Sequence, residues 1–136
     1  MKTIIAGSRS FSQDTHSLLT AISLCPWTIT SVVSGGAKGI DEQGMKWALE
    51  KGLDCRVYLP DWKLNGMKAG TMRNVEMAED PEVEALLAVW DGKSTGTKHM
   101  IKTAEKNKLA VFVYTCVPNF HATYYNQMGL DISAKP

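Results

Sequence analysis

The chain has 136 residues, 44% apolar and 21% charged, with a formal net charge of +1. That balance fits one folded domain with a hydrophobic core and excludes a disordered chain. It gives no global attraction to nucleic acid or to an anionic membrane, so a basic site has to be local. The three cysteines, Cys25, Cys55 and Cys116, are widely spaced and form no CxxC, which argues against a disulfide framework or a metal site.

Thr3 to Ala6 is a short apolar run ending at Gly7, and it reads as a first strand buried on both faces. Gly7 to Phe11 follows as a loop carrying Ser8 and Arg9. Ser12 or Asp14 is the predicted cap of a helix that carries Leu18, Leu19, Ile22 and Leu24 and stops at Pro26. Trp27 to Val33 is rich in β-branched residues and reads as a second strand. Ser34-Gly35-Gly36-Ala37-Lys38-Gly39-Ile40-Asp41 then forms a glycine-rich bend opening a helix, an arrangement that can cradle an anion on free N–H groups. The helix places Ile40, Gly44, Met45, Ala48 and Leu49 on one face, with Gly52 as its C-terminal cap.

Cys55 to Leu59 reads as a third strand closed by Pro60. Asp61 to Gly70 is expected to be a loop, and Thr71 to Glu79 a short helix bearing Arg73 and Asn74. Ala85 to Val89 is the fourth strand. Asp91-Gly92-Lys93-Ser94-Thr95-Gly96-Thr97 is a second glycine-bearing loop opening a helix with Met100, Ile101 and Ala104 inward. Leu109 to Tyr114 is the fifth strand. Strands alternating with helices predict an α/β fold, a Rossmann-like three-layer sandwich on a mainly parallel five-stranded sheet of order 3-2-1-4-5. Loops at the carboxyl ends of such strands gather at one edge, where ligands bind. Residues 1–117 form the expected domain. Residues 118–136 are a tail expected to pack on the domain or on a partner subunit.

The four loops share donors for an anionic ligand. Gly92, Lys93, Ser94, Thr95, Gly96 and Thr97 offer hydroxyls and backbone donors. Gly7, Ser8 and Arg9 bring a guanidinium to the same edge, and Gly35, Gly36, Ala37 and Lys38 a close backbone approach. Arg73 can pair with phosphate or carboxylate. Asp41 caps its helix or hydrogen-bonds a ribose hydroxyl. Trp62 and Trp90 are candidate walls of a base pocket, and His99 a candidate ligand contact. The three histidines fit no metal spacing, and no nucleophile–base set can be argued.

Gly7-Ser8-Arg9, Ser34 to Asp41, Trp47-Ala48, Ala69-Gly70-Thr71-Met72-Arg73-Asn74 with Met77, and Asp91 to Thr97 occur in one order. As a set they resemble the YspA/YpsA-like branch of the SLOG superfamily, over roughly Lys2 to Tyr114. The resemblance implies a Rossmann-like fold and a nucleotide-derived ligand, such as a nucleoside phosphate or an ADP-ribose-like molecule. It makes a homo-oligomer the default. With no stretch long enough for a signal peptide or a membrane span, a cytoplasmic protein with no membrane partner is expected, and no cofactor or metal. A net charge of +1 without aromatic–basic interleaving makes nucleic acid the weaker branch. The same superfamily holds the Lonely Guy phosphoribohydrolases, which cleave the N-glycosidic bond of nucleoside monophosphates. Arg73 matches their arginine, whereas the glutamate of their PGGxGTxxE loop is Met100 here. A thioether cannot stabilise an oxocarbenium ion or handle a proton. A sensor, carrier or sequestering protein is therefore the leading expectation. An N-glycosidic hydrolase using Arg73 and Asp41 is the alternative.

Overall fold

The computed structural model describes residues 1–119. Its elements alternate: β1 (Lys2–Gly7), α1 (Ser17–Leu24), β2 (Ser31–Ser34), α2 (Ile40–Glu50), β3 (Cys55–Val57), α3 (Trp62–Asn65), α4 (Ala69–Glu79), β4 (Ala85–Trp90), α5 (Thr95–Lys106) and β5 (Ala110–Thr115). All strand pairs are parallel, in the order β3-β2-β1-β4-β5. The fold class and strand order are those expected from the sequence.

β1 is central because both of its faces are apolar. Ile4 and Ala6 point to one layer, with Leu86 and Ala88 of β4, Met77 and Ala78 of α4, and Met100 and Ala104 of α5. Ile5 points to the other, with Leu87, Val89, Phe11, Leu18 and Ala21 of α1, and Ile40 and Ala48 of α2. The alternation follows the two-residue period of a strand. It yields two cores on one sheet, α1 and α2 covering one and α4 and α5 the other.

Several boundaries differ from the sequence reading. β2 starts at Ser31 rather than Trp27. The Trp27 indole instead donates to Thr3 Oγ1 at 3.0 Å, and the Thr30 N–H bonds Met1 O at 3.1 Å, so this stretch closes the amino edge of the sheet. β3 ends at Val57, although the Tyr58 N–H still reaches Ser34 O at 2.8 Å. The expected loop over 61–70 is helical: α3 is followed by a 3-10 turn, Gly66–Lys68, and α4 begins at Ala69. Asp61 makes that possible by accepting the Leu64 N–H at 3.0 Å. Leu49 is 80% exposed, off the buried face of α2, and Trp47 packs there instead. Leu19 and Leu24 are likewise exposed.

Of the two candidate caps, Asp14 organises α1. Its Oδ1 accepts the N–H groups of His16 and Ser17 at 2.9 and 2.8 Å. The other oxygen accepts the Asn119 N–H at 2.6 Å, joining the end of the described chain to the start of α1. The remainder of the expected tail, 120–136, lies outside the described residues. Among the described residues, no helix is long and apolar enough to cross a membrane.

Candidate functional site

A cleft of about 440 Å³ opens at the carboxyl edge of the sheet, a size that suits a small organic ligand. Its walls come from the loop after β1, the start of α2, the α3–α4 segment and the first turn of α5. Met77 and Met100, each 1% exposed, line it from below.

Arg73 is the most constrained charge in the cleft. It is 9% exposed, yet two of its donors are already fixed. Its Nη1 donates to Gly35 O, and its Nε donates to Asn74 Oδ1 at 3.1 Å. This explains Gly35. A Cβ built there would stand 2.6 Å from Nη1 and 2.7 Å from Cζ, so a side chain at 35 would push the guanidinium out of this position. Burial pulls the Arg73 pKa below its ordinary value, while the charge of Asp41 opposes that. The cation is thus braced from behind, with its remaining N–H groups left for the cleft.

Asp41 is 5% exposed and also lines the cleft. Its two oxygens accept the Gly7 N–H and the Ala37 N–H, both at 3.3 Å. Burial raises its pKa from 3.8 to about 6, against the pull of those N–H groups and of Arg73 and Arg9. The carboxylate therefore occupies donors of the glycine-rich bend. Gly36 adds to this, since its N–H is bonded to Ser34 Oγ at 3.1 Å. The bend thus spends its Gly36 and Ala37 N–H groups on Ser34 and on its own carboxylate.

The first turn of α5 brings free donors to the cleft itself. Ser94 precedes it in an extended conformation and makes no side-chain cap bond to the helix. Among the described residues, the N–H groups of Thr95, Gly96 and Thr97 have no hydrogen-bond partner, and these three residues line the cleft. Helix starts carry exposed donors and a partial positive charge, which is where an anion binds. Hydroxyls frame the turn: Ser94 Oγ lies 2.8 Å from Thr97 Oγ1 and 3.0 Å from Ser8 Oγ. Asp91 holds the loop in place. It accepts the Lys93 and Ser94 N–H groups at 2.9 and 2.8 Å, and the Ser10 hydroxyl at 2.7 Å. Burial pushes its carboxyl up, but these bonds outweigh it and hold the pKa at about 2.

Of the residues predicted for the site, Gly7, Ser8, Arg9, Ala37, Asp41, Arg73, Asn74, Ser94, Thr95, Gly96 and Thr97 come together around this cleft. Gly35, Gly36, Lys38, Gly92 and Lys93 do not line it. Gly35 and Gly36 act from behind: Gly36, at φ 73°, would bring a Cβ 2.7 Å from Leu59. Gly92, at φ 81°, turns the second loop, and Lys38 and Lys93 are exposed. Arg9 lines the cleft and makes no ion pair among the described residues. Trp62 lines it too, whereas Trp90 turns away and donates its indole N–H to Ser94 O at 3.0 Å. His99 contacts Asn74 rather than the cleft. Thr71, part of the Ala69–Asn74 motif, lines the cleft as well, and so do Ser10 and Met67, which sequence reasoning does not single out. The signal for Ser10 and Met67 is membership of segments expected as loops at the carboxyl edge. Among the described residues, no group of three or more His, Cys, Asp or Glu could hold a metal ion.

No family model matches this chain. No solved structure matches it. The Gene 61 protein of Mycobacterium phage D29 is 31% identical over 118 residues, which cover 81% of this chain and 93% of the phage protein.

Proposed function

The chain belongs to the same family as the Gene 61 protein of Mycobacterium phage D29, and we propose that it binds a small nucleotide-derived ligand in the cleft at the carboxyl edge of the sheet. The ligand class is a nucleoside phosphate or an ADP-ribose-like molecule, held by a sensor, carrier or sequestering protein. The observation that carries this reading is the unpartnered first turn of α5 facing a braced, buried Arg73 across one cleft. A phosphate on Thr95, Gly96 and Thr97 meets backbone donors, hydroxyls and the guanidinium together. Arg9 adds charge at the rim. Trp62, 52% exposed on the opposite wall, offers a flat apolar surface for a base. The motif set supports the SLOG superfamily as the wider grouping, with a cytoplasmic homo-oligomer as the working form. A nucleic acid partner is disfavoured by the net charge of +1.

A thermal-shift panel of nucleoside mono-, di- and triphosphates, ADP-ribose and inorganic phosphate tests the reading. A ligand at about 100 times its Kd stabilises the fold by about 2.7 kcal/mol. No shift with any nucleotide overturns it. Rapid turnover of the bound ligand overturns the binding role in favour of an enzyme.

One observation favours that second reading. Asp41 is a buried carboxylate in the cleft, close enough to Arg73 to feel its charge, with a pKa raised to about 6. Such a group is suited to proton transfer or to stabilising a cationic sugar. Hydrolysis of a phosphoribosyl N-glycosidic bond then requires release of free base from AMP-like substrates, abolished by Arg73→Ala. Absence of base release across the panel refutes it.

A further inference from the structure

Asn74 is a junction between the two anion-facing elements. Its Oδ1 accepts the Arg73 Nε–H at 3.1 Å. Its Nδ2 lies 3.1 Å from His99 Nδ1 and 3.5 Å from Gly96 O. The chemistry fixes the orientation of this amide, because an arginine has only donors and must face the oxygen. The nitrogen then has to face His99, and its N–H groups need acceptors. His99 Nδ1 can accept only if it carries no proton, so the imidazole is neutral with its hydrogen on Nε2.

We propose that His99 is a positioning residue for Arg73, acting through Asn74. By accepting from Asn74 Nδ2, His99 holds the amide oxygen toward Arg73 Nε and so aims the guanidinium into the cleft. A proton on Nδ1 turns that acceptor into a donor. Two donors then oppose each other across 3.1 Å, and the amide loses the contact that fixes its orientation. An amide free to rotate no longer keeps its oxygen on Arg73 Nε, whose bond weakens. The Gly35 carbonyl still holds Nη1, so the guanidinium swings about that contact rather than leaving. The same rotation gives up the bond to Gly96 O, loosening the amide's tie to the first turn of α5. Asn74 thereby couples the arginine to the turn that faces it, and His99 sets the coupling. The importance for ligand binding rests on the reading of Arg73 as an anion contact; the relay itself does not.

Other charges face Arg73 and enter the test: Asp41 from α2 and Arg9 from the loop after β1. Asp41 titrates near pH 6 and would by itself change Arg73 on acidification. The comparison of wild type with His99→Gln separates the two. Glutamine keeps an acceptor oxygen for Asn74 Nδ2 and does not titrate. His99→Phe removes the acceptor.

The experiment is nitrogen-15 NMR on the full chain without ligand, reading the His99 ring nitrogens and the Arg73 Nε–H, assigned through Arg73→Lys. Expected are a neutral His99 with its proton on Nε2, and an Arg73 Nε–H that loses protection on acidification with the midpoint of the His99 ring. In His99→Gln the step at that midpoint disappears. In His99→Phe the Nε–H exchanges roughly three- to tenfold faster than in wild type, as expected for one hydrogen bond lost. A His99 proton on Nδ1 at neutral pH overturns the proposal. So does an Arg73 response that is the same in wild type and His99→Gln. Should His99→Phe not fold, the wild-type titration and the glutamine variant still decide. Binding of inorganic phosphate and AMP is read separately by thermal shift. If neither binds, the proposed function fails while the NMR result for the relay stands.

Discussion

Replacing Asp41 by asparagine tests the internal-anion account of the glycine-rich bend. The carboxylate is 5% exposed, and burial raises its pKa from 3.8 to about 6. An unfolded chain releases this proton near pH 3.8, whereas the folded one keeps it to about pH 6. Between those values the native state binds more protons, so stability falls as pH rises through the window and stays lower above it. The difference between 3.8 and about 6 amounts to about 3 kcal/mol at neutral pH. Asparagine carries no charge and escapes that loss. It has one acceptor oxygen, however, where the carboxylate accepts from both Gly7 and Ala37. One N–H is left unpaired, at a cost of about 1–3 kcal/mol at every pH. The variant is therefore the weaker protein at about pH 4. Relative to wild type it gains about 3 kcal/mol by pH 7, or roughly 10 °C in Tm for a chain of this size. Thermal and urea unfolding of both proteins, across that range at constant ionic strength, gives the comparison. The lowered carboxyls of Asp14, Asp80 and Asp91 titrate below 3.8 and are shared by both proteins, so they cancel. Parallel stability curves for the two proteins would refute the reasoning.

Gly35→Ala pushes a methyl into the space 2.6 Å from Arg73 Nη1. It should cost about 1–3 kcal/mol in urea unfolding and remove any anion-induced rise in Tm. Asp91→Asn weakens a carboxylate that holds two N–H groups and the Ser10 hydroxyl. Because the folded pKa is depressed to about 2, this stability is present above 3.8 and lost as pH falls toward 2. The variant should have a lower urea midpoint at neutral pH and converge on wild type near pH 2, whereas a constant gap would contradict the assignment. Trp62→Ala should weaken AMP binding by about 1–3 kcal/mol, as for one stacked base, and leave inorganic phosphate unaffected in the same titration.

The layered sheet was legible because its signal is local. Ile4, Ile5 and Ala6 in β1, and Leu86 to Val89 in β4, are apolar runs bounded by glycine or acidic turns, and such runs specify buried parallel strands. The helix over 62–65 was hidden for an equally local reason. Asn65, Gly66 and Gly70 read as breakers, and the cap that overrides them, Asp61 to the Leu64 N–H, is a single bond. Leu49 was misplaced because an isolated leucine fits a helical period as well as Trp47 does. The indole gains more by packing on the second core, which turns Leu49 outward. Most site residues were legible as members of carboxyl-edge loops. Their division of labour was not, because it depends on contacts between distant positions. Gly35 reads as a flexible turn, and only its carbonyl bond to Arg73, 38 residues further on, explains what a side chain there would displace.

The two glycine loops show how the placement of one carboxylate separates their roles. Each follows a buried strand, opens a helix and contains an aspartate. In the first, Asp41 is the second residue of α2, beyond the bend, and its side chain folds back onto the Ala37 N–H while also taking the Gly7 N–H. In the second, Asp91 precedes the turn and takes the Lys93 and Ser94 N–H groups. That leaves the next three N–H groups, at Thr95, Gly96 and Thr97, without an internal acceptor. Asp41 takes the Ala37 N–H from the bend and puts a fixed carboxylate in the cleft, which opposes an external anion at that loop. A carboxylate placed just before a helix start rigidifies the loop and leaves the helix start open. An aspartate added at the second residue of α5, the place Asp41 holds in α2, should thus put a fixed negative charge where the anion is read to sit. A Gly96→Asp variant adds it with Asp91 still in place, and a Cβ at Gly96 meets nothing within 4 Å. It should fold normally by circular dichroism and lose all stabilisation by phosphate-bearing ligands. Retained phosphate binding in that variant would move the anion site away from α5.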